Sequence, residues 1–309
     1  RRGGVAAPAA RGSADTATDA DEWLGGLPPL FWRAVILLLC IVWATNFPVI
    51  KQITAQPGVT SSLYAVSRFT IAGLVMLPAV FTISSPQVLM RGIECGAWVA
   101  FGYIGQAIGL MTTTASKSCF ICALNVVFVT AVVGLTKNKV EPRVVIAALL
   151  AICGVGFLEL AGSQQFVIGD LFSLAQPIGF GMGYIRLEEI MEESPEDAWA
   201  VTGTKLLMVM LGSWSFYALS NGALPNFDPV LAAPPALVGV LWCGLVTTAA
   251  SLAVESVAFR YVDAPSASVI FTTEPLWAAL FAWWLISEPF SFNDGIGGAL
   301  VILANLLNL

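Results

Sequence analysis

Residues 241–290, LWCGLVTTAASLAVESVAFRYVDAPSASVIFTTEPLWAALFAWWLISEPF, decide the fold of this chain. Two long apolar runs are joined by the short turn 260–265, and the second run carries one carboxylate, Glu274, followed at once by Pro275. Residues 264–286 would form about 34 Å of helix at roughly 1.5 Å per residue, which is enough to cross a bilayer. An acidic side chain near the middle of that length is costly unless it faces a cavity or a partner. The stretch therefore predicts a helical membrane protein with a polar interior.

The composition of the whole chain supports the same class. Of its 309 residues, 57% are hydrophobic and 11% are charged, whereas a soluble domain averages about 25% charged residues. Histidine is absent, which excludes imidazole metal sites, Ser/His catalysis and histidine proton relays. The six cysteines lie in or beside apolar runs, so we interpret them as packing thiols. No activated nucleophile or paired carboxylates occur at a usable spacing, and we therefore predict a non-enzyme without a required cofactor or metal and without nucleic-acid binding.

Ten apolar stretches follow a polar N-terminal region, and short connections containing Pro, Gly and Asn separate them. We predict an all-α polytopic membrane protein with ten transmembrane helices. The predicted spans cover residues 33–53, 61–81, 92–111, 116–136, 143–161, 169–188, 199–219, 235–255, 264–286 and 291–309.

Basic residues are distributed unequally between the two sides of these spans. The loops on the N-terminal side hold Arg91, Lys137, Lys139, Arg143, Arg186 and Arg260. The opposite side holds little beyond Lys51 and Lys117. The positive-inside rule then predicts both termini on the cytosolic side, or on the stromal side of a plastid membrane. Lys205 and Glu255 lie near span ends, where interfacial positions are expected for them.

The ten spans divide into two groups of five, residues 33–162 and 163–309, after an N-terminal tail at 1–32. Shifting the sequence by 149 residues places Asn125 on Glu274, so a polar position near mid-span recurs. Five is an odd number, so two such copies must be inverted relative to each other. Inverted repeats of this kind place the substrate site near the midplane, at the interface of the repeats.

The tail is rich in Ala, Gly, Arg, Ser and Thr, and it contains an acidic cluster between residues 15 and 22. This composition is typical of the end of an organelle transit region followed by a retained segment. A simple disordered tail is the alternative interpretation.

Six polar residues are candidates for substrate binding: Asn46, Arg68, Lys117, Asn125, Gln176 and Glu274. Glu274 is interpreted either as a substrate or proton contact, or as a carboxyl that hydrogen-bonds the backbone freed by Pro275. Asn46 and Gln176 precede prolines in the first helix of each half, and paired interruptions of this kind indicate a binding site in transporters. A plain kink with a satisfied amide is the alternative. Arg68 and Lys117 would either meet an anionic substrate or extend toward the interface.

Several stretches carry a resemblance to a known family. In the first half they are Trp43-Ala44-Thr45-Asn46-Phe47, Ser67-Arg68-Phe69 and residues 112–129; in the second half they are residues 244–250, Thr273-Glu274-Pro275 and Ser287-Glu288-Pro289. Over residues 33–309 the chain resembles the EamA family of the drug/metabolite transporter superfamily. Lys117 after Thr-Ala-Ser, and IRLEEI in the sixth span, resemble plastid-type members. The resemblance implies two inverted five-helix repeats and secondary transport of a small metabolite. The chain departs from the family pattern at Thr130, where a proline is usual, and at Thr136-Lys137, where Gly-Glu is usual.

Two functions of different class follow from these observations. The first is a secondary transporter of small organic metabolites, working by alternating access in a plastid membrane. The alternative is a non-transporting structural or pigment-contacting subunit of a plastid photosynthetic complex, derived from such a carrier. In that case chlorophyll or carotenoid would bind, and partners would contact the N-terminal tail and the outer helix faces.

Overall fold

The computed structural model describes residues 26–109, 111–113, 115–137, 140–159, 166–286 and 292–308. Most of the predicted N-terminal tail, with its transit-region remnant, lies outside these residues. Within the described part the secondary structure is helical and contains no strand.

The helices of the described residues group into ten rods, which we number in chain order. A rod is one helix, or two or more helical segments that follow each other with little interruption. They are rod 1, α1 (Pro29–Ala44) and α2 (Asn46–Thr54); rod 2, α3 (Ser61–Val80); rod 3, α4 (Pro86–Gly109); rod 4, α5 (Ala115–Ala123) and α6 (Asn125–Lys137); rod 5, α7 (Pro142–Glu159); rod 6, α8 (Ile168–Ser173) and α9 (Ala175–Glu193); rod 7, α10 (Ala198–Asn221); rod 8, α12 (Pro234–Leu241), a π-helical segment (Trp242–Ala250) and α13 (Ser251–Ala258), preceded by the short α11 (Asp228–Ala232); rod 9, α14 (Ala264–Phe271) and α15 (Glu274–Ile286); and rod 10, α16 (Phe292–Leu307).

Within the described residues, four helical stretches are long and apolar enough to cross a membrane by themselves. They are Pro29–Thr54, Ser61–Val80, Phe120–Lys137 and Pro234–Ala258. Each exceeds the length that about 30 Å of hydrocarbon requires, or nearly matches it. The chain is thus an integral, multi-pass membrane protein, and the count of ten spans stays a prediction.

Rods 1, 4, 6 and 9 are each interrupted at or next to a polar residue. The interruptions lie at Thr45, Leu124, Leu174 and Thr272-Thr273, where the backbone N–H groups bond three residues back instead of four. In rods 1, 6 and 9 a proline follows within three residues. Proline has no backbone N–H to donate, and its ring clashes with the carbonyl four residues earlier. The sequence predicted the interruptions in rods 1 and 6. The structure adds the equivalent ones in rods 4 and 9.

Three pairs of rods that are five apart in the chain are neighbours in the bundle. Rod 2 packs against rod 7, rod 5 against rod 10, and rod 4 against rod 9. Rod 6 packs against rods 3 and 4, as rod 1 packs against rods 8 and 9. Exchanging the first five rods for the last five therefore preserves these neighbour relations.

One end of the bundle, which we call the Pro29 end, is closed by apolar packing and ion pairs. The largest buried cluster joins side chains of rods 1, 3, 4, 6, 7, 8 and 9 there. Lys137 of rod 4 lies 3.7 Å from Glu188 and 3.5 Å from Glu189 of rod 6. Arg186 of rod 6 lies 2.9 Å from Glu94 of rod 3. The departure from the family pattern at Lys137 thus has a local reason, because a basic side chain here meets the acidic end of rod 6.

Glycine contacts hold rods 3 and 6 together, and they give a first testable prediction. A Cβ at Gly179 would lie 2.6 Å from the backbone nitrogen of Gly102 and 2.6 Å from the carbonyl oxygen of Trp98. Backbone atoms cannot move aside cheaply, so Gly179→Ala should lower the free energy of unfolding by about 1–3 kcal/mol. Thermal unfolding in detergent measures this. Gly134→Ala is the matched control, since its Cβ would meet only Val140 at 3.8 Å, and an equal loss in both variants would contradict the close-contact explanation.

Candidate functional site

Glu274 begins α15, directly after the interruption of rod 9. Residues 264–273 before it are all buried, whereas Glu274 is partly exposed. Its carboxylate makes no hydrogen bond or ion pair within the described part of the chain. Arg68 acts on it electrostatically, although no nitrogen–oxygen distance of 4.0 Å or less joins the two side chains. Among the described residues, the Glu274 carboxyl therefore does not hydrogen-bond the backbone freed by Pro275, as the alternative interpretation predicted. Both carboxylate oxygens stay open to a ligand.

Arg68 projects from rod 2 and is half-buried among aromatic rings. Its Nε donates to Oγ1 of Thr248 at 2.7 Å, and its Nη1 donates to the hydroxyl of Tyr64 at 3.3 Å. The guanidinium carbon lies 5.0 Å from the ring centre of Phe69 and 5.9 Å from that of Tyr103. Across the described residues, no carboxylate forms an ion pair with Arg68. A guanidinium has five N–H donors, so three of them have no protein partner among the described residues.

The π-helical segment of rod 8 brings rods 1 and 2 to this site. Its Thr248 holds Arg68, and the adjacent Thr247 donates to Oδ1 of Asn46 at 2.7 Å. Both threonine hydroxyls also contact the carbonyl oxygen of Cys243, at 2.6 Å and 3.0 Å. A π-helical turn holds one residue more than an α-helical turn, and such segments are frequent at functional sites. In the sequence the two threonines are only part of the family resemblance at residues 244–250, and nothing there predicts their contacts.

The two candidate asparagines differ in how their amides are satisfied. Asn46 is buried and accepts the hydrogen bond from Thr247. Asn125 is also buried, at the interruption of rod 4, but its Oδ1 has no hydrogen-bond partner within the described part of the chain. A buried acceptor left without a partner costs about 1–3 kcal/mol. Asn125 is therefore available to a donor group of a ligand.

Gln176 hydrogen-bonds with a separate set of residues. Gln176 is fully buried, accepts from Nε2 of Gln106 at 2.9 Å and donates to Oγ of Ser118 at 2.9 Å. Its amide joins rods 3, 4 and 6, so a ligand could reach it only after these bonds break. The side chain of Lys117 lies outside the described residues. The assignment of these six residues to substrate binding stays a prediction.

Lys205 and Glu255 form a buried charged pair. The interfacial positions expected for them are wrong, because each side chain is only 2% exposed and Nζ of Lys205 lies 2.6 Å from the Glu255 carboxylate. Rods 7 and 8 bring them together, and Thr202 donates to Ser256 at 2.7 Å nearby. This pair neutralises itself, so it needs no ligand.

A cavity of about 630 Å³ opens between α2 and α12. Val49, Ile53, Val238 and Trp242 line it, and neither Glu274 nor Arg68 does. We therefore locate the candidate site by the charges without ion-pair partners, because charges within a bilayer need a specific explanation. Among the described residues no group of three or more His, Cys, Asp or Glu side chains could hold a metal ion.

Interrupted helices that meet around polar groups in a helical membrane protein are typical of secondary transporters. Comparisons with known proteins agree with that class. Residues 167–309 match the EamA-like transporter family, which confirms the resemblance for the second half of the chain.

Two relatives from Archaeoglobus fulgidus, each described as an uncharacterized transporter, extend the similarity to the first half. One is 26% identical over 296 residues, covering 91% of this chain and 87% of the relative. The other is 22% identical over 279 residues, covering 87% and 93%. A solved crystal structure shares the fold with a TM-score of 0.72 at 16% identity, covering 89% of this chain and 97% of that one. Together these similarities support a membrane transporter.

Proposed function

We propose that the chain is a secondary transporter of small organic metabolites that works by alternating access. The observation that carries this proposal is that Glu274 and Arg68 carry opposite charges in a helical membrane protein and that neither forms an ion pair among the described residues. Charged side chains in such a place mark substrate or ion pathways. A ligand between them would supply the missing partners.

The proposed architecture is two inverted five-helix repeats, residues 33–162 and 163–309, with the site at their interface. The neighbour relations between rods five apart support it, as do the interruptions in rods 1, 4, 6 and 9. Alternating access then requires the Pro29 end to open. The contacts of Lys137 with Glu188 and Glu189 join the two halves at this end, so they have to break in that step.

Each candidate side chain has a role in this proposal. Glu274 receives a cationic group or a proton, Arg68 receives an anionic group, and Oδ1 of Asn125 accepts a hydrogen bond from the ligand. Asn46 shapes the site through Thr247. Lys117 stays a candidate for an anionic group at one mouth, and Gln176 acts by holding rods 3, 4 and 6 together.

The test is uptake of a mixed metabolite pool into proteoliposomes, with mass spectrometry of the accumulated solutes. Wild-type protein should accumulate a defined subset, and Asn125→Ala should lower its uptake about five- to tenfold, the effect of losing one hydrogen bond of about 1–1.5 kcal/mol. Asn221→Ala is the matched control, because that amide is exposed and bonds only the carbonyl of Tyr217 one turn earlier among the described residues. If wild-type liposomes accumulate no solute beyond protein-free liposomes, the transporter proposal is wrong.

We propose a plastid membrane as the location, with both termini on the stromal side. The composition of the N-terminal region supports it, as does the resemblance of Lys117 and IRLEEI to plastid-type members of the family. The relatives, which are described as transporters, do not favour a pigment-contacting subunit. Visible absorbance of the purified protein decides between these functions. A stoichiometric chlorophyll or carotenoid band would favour the subunit.

A further inference from the structure

We propose that Arg68 is the anion-binding end of the ligand site and that Thr248 is the residue that positions it. The ligand then carries a carboxylate or a comparable singly charged anionic group. This inference rests on the proposed function and names one chemical group of its substrate.

The charge of Arg68 requires an anionic partner. A guanidinium half-buried in a membrane protein has to be compensated by an anion, because desolvation of an unpaired ion is costly. Among the described residues, Arg68 contacts neutral groups, the hydroxyls of Thr248 and Tyr64 and the rings of Phe69 and Tyr103. Glu274 acts on it only from beyond ion-pair distance. The position beside the guanidinium therefore suits an anionic group of the ligand.

The N–H donors of the Arg68 guanidinium have a geometry that suits a carboxylate. Thr248 engages Nε and Tyr64 engages Nη1, so the two bonds fix the plane of the guanidinium. Both N–H groups of Nη2 and one of Nη1 have no protein acceptor among the described residues. Neighbouring guanidinium N–H groups match the two oxygens of a carboxylate, which is the reason that arginine recognises planar anions well.

The π-helical segment places Thr248 beside Arg68. The hydroxyl of Thr248 donates to the carbonyl of Cys243, five residues earlier, at 2.6 Å. That bond directs an oxygen lone pair of Thr248 toward Nε of Arg68. A Cβ at Gly244 would lie 3.1 Å from the carbonyl oxygen of Arg68, so rods 2 and 8 are in close contact at this level. Thr248 is thus fixed beside Arg68 by its bond to Cys243 and by the close contact of rods 2 and 8.

The experiment uses the full-length protein in proteoliposomes and compares small monocarboxylates with their neutral amides. Wild-type protein should transport at least one carboxylate and prefer it to its amide by tenfold or more. Thr248→Val, which keeps the shape and removes the hydroxyl, should raise KM for the carboxylate about tenfold with less than a twofold change in kcat. Thr248→Ser should restore KM. A merely structural role of Thr248 would instead lower kcat and stability together, with no rescue that depends on the hydroxyl.

A second measurement needs only wild-type protein. Phenylglyoxal modifies accessible arginines, and mass spectrometry of the Arg68 peptide reports its rate of modification. The transported carboxylate should slow that rate at least fivefold, whereas its amide should not, and exposed Arg143 should be unaffected. Transport of neutral or cationic solutes only, or no protection of Arg68, overturns the inference while the transporter stands. Absence of all transport overturns both.

Discussion

Replacing Glu274 with glutamine is expected to lower the rate of transport at saturating substrate at least about tenfold while the protein stays folded. The substitution removes a charge that lies opposite Arg68 and makes no hydrogen bond among the described residues. A hydrogen bond to a charged group contributes about 1.5–3 kcal/mol, which corresponds to roughly a tenfold to hundredfold effect. Initial rates of uptake into proteoliposomes measure it, with thermal unfolding recorded on the same preparations.

Glu141→Gln is the matched control for this prediction. Glu141 is an exposed carboxylate that pairs with Arg143 two residues away, outside the candidate site. Its variant should transport at the wild-type rate. Equal rates for wild type and Glu274→Gln would remove this carboxylate from the transport mechanism.

Replacing Lys205 with methionine is expected to lower the free energy of unfolding by about 3–5 kcal/mol, because it leaves the buried carboxylate of Glu255 without its partner. The double variant Lys205→Met/Glu255→Gln should regain most of that loss, since no buried charge then remains. A double-mutant cycle of unfolding in detergent measures the coupling between the two side chains.

Arg143→Met provides the comparison for an exposed pair. Its partner Glu141 is largely in solvent, and exposed pairs contribute about 0–1 kcal/mol. Additive losses in the Lys205 cycle would mean that the two charges do not interact in the membrane. Should the single variant fail to fold, recovery of folded protein in the double variant still demonstrates the coupling.

The Glu274 and Lys205 variants distinguish a charge that serves transport from a charge that serves stability. Lys205 and Glu255 satisfy each other at 2.6 Å, so their removal should affect stability. Glu274 and Arg68 do not form an ion pair, so removal of Glu274 should affect transport more than stability. A binding site in a bilayer needs charges that form no ion pair within the protein, because a charge that is fully paired cannot bind a ligand without losing its partner.

Much of the helical architecture could be predicted from residues that are close in the chain. Apolar runs of about 20 residues predict helices in a membrane whatever surrounds them. Prolines 48 and 177 predicted the interruptions of rods 1 and 6 because the missing N–H is a property of the residue itself. Glu274 and Asn125 were identified as candidates because polar groups are conspicuous in such runs.

The sequence by itself therefore determined a helical membrane protein, the approximate bounds of its helices and the polar positions within them. Only the tertiary structure decided which polar groups meet: Lys205 with Glu255, Gln176 with Gln106 and Ser118, and Arg68 with the hydroxyl of Thr248. The physical reason is that membrane helices are apolar on every side. Their sequence has no strong amphipathic pattern to indicate which face meets which neighbour, so contacts across rods depend on packing.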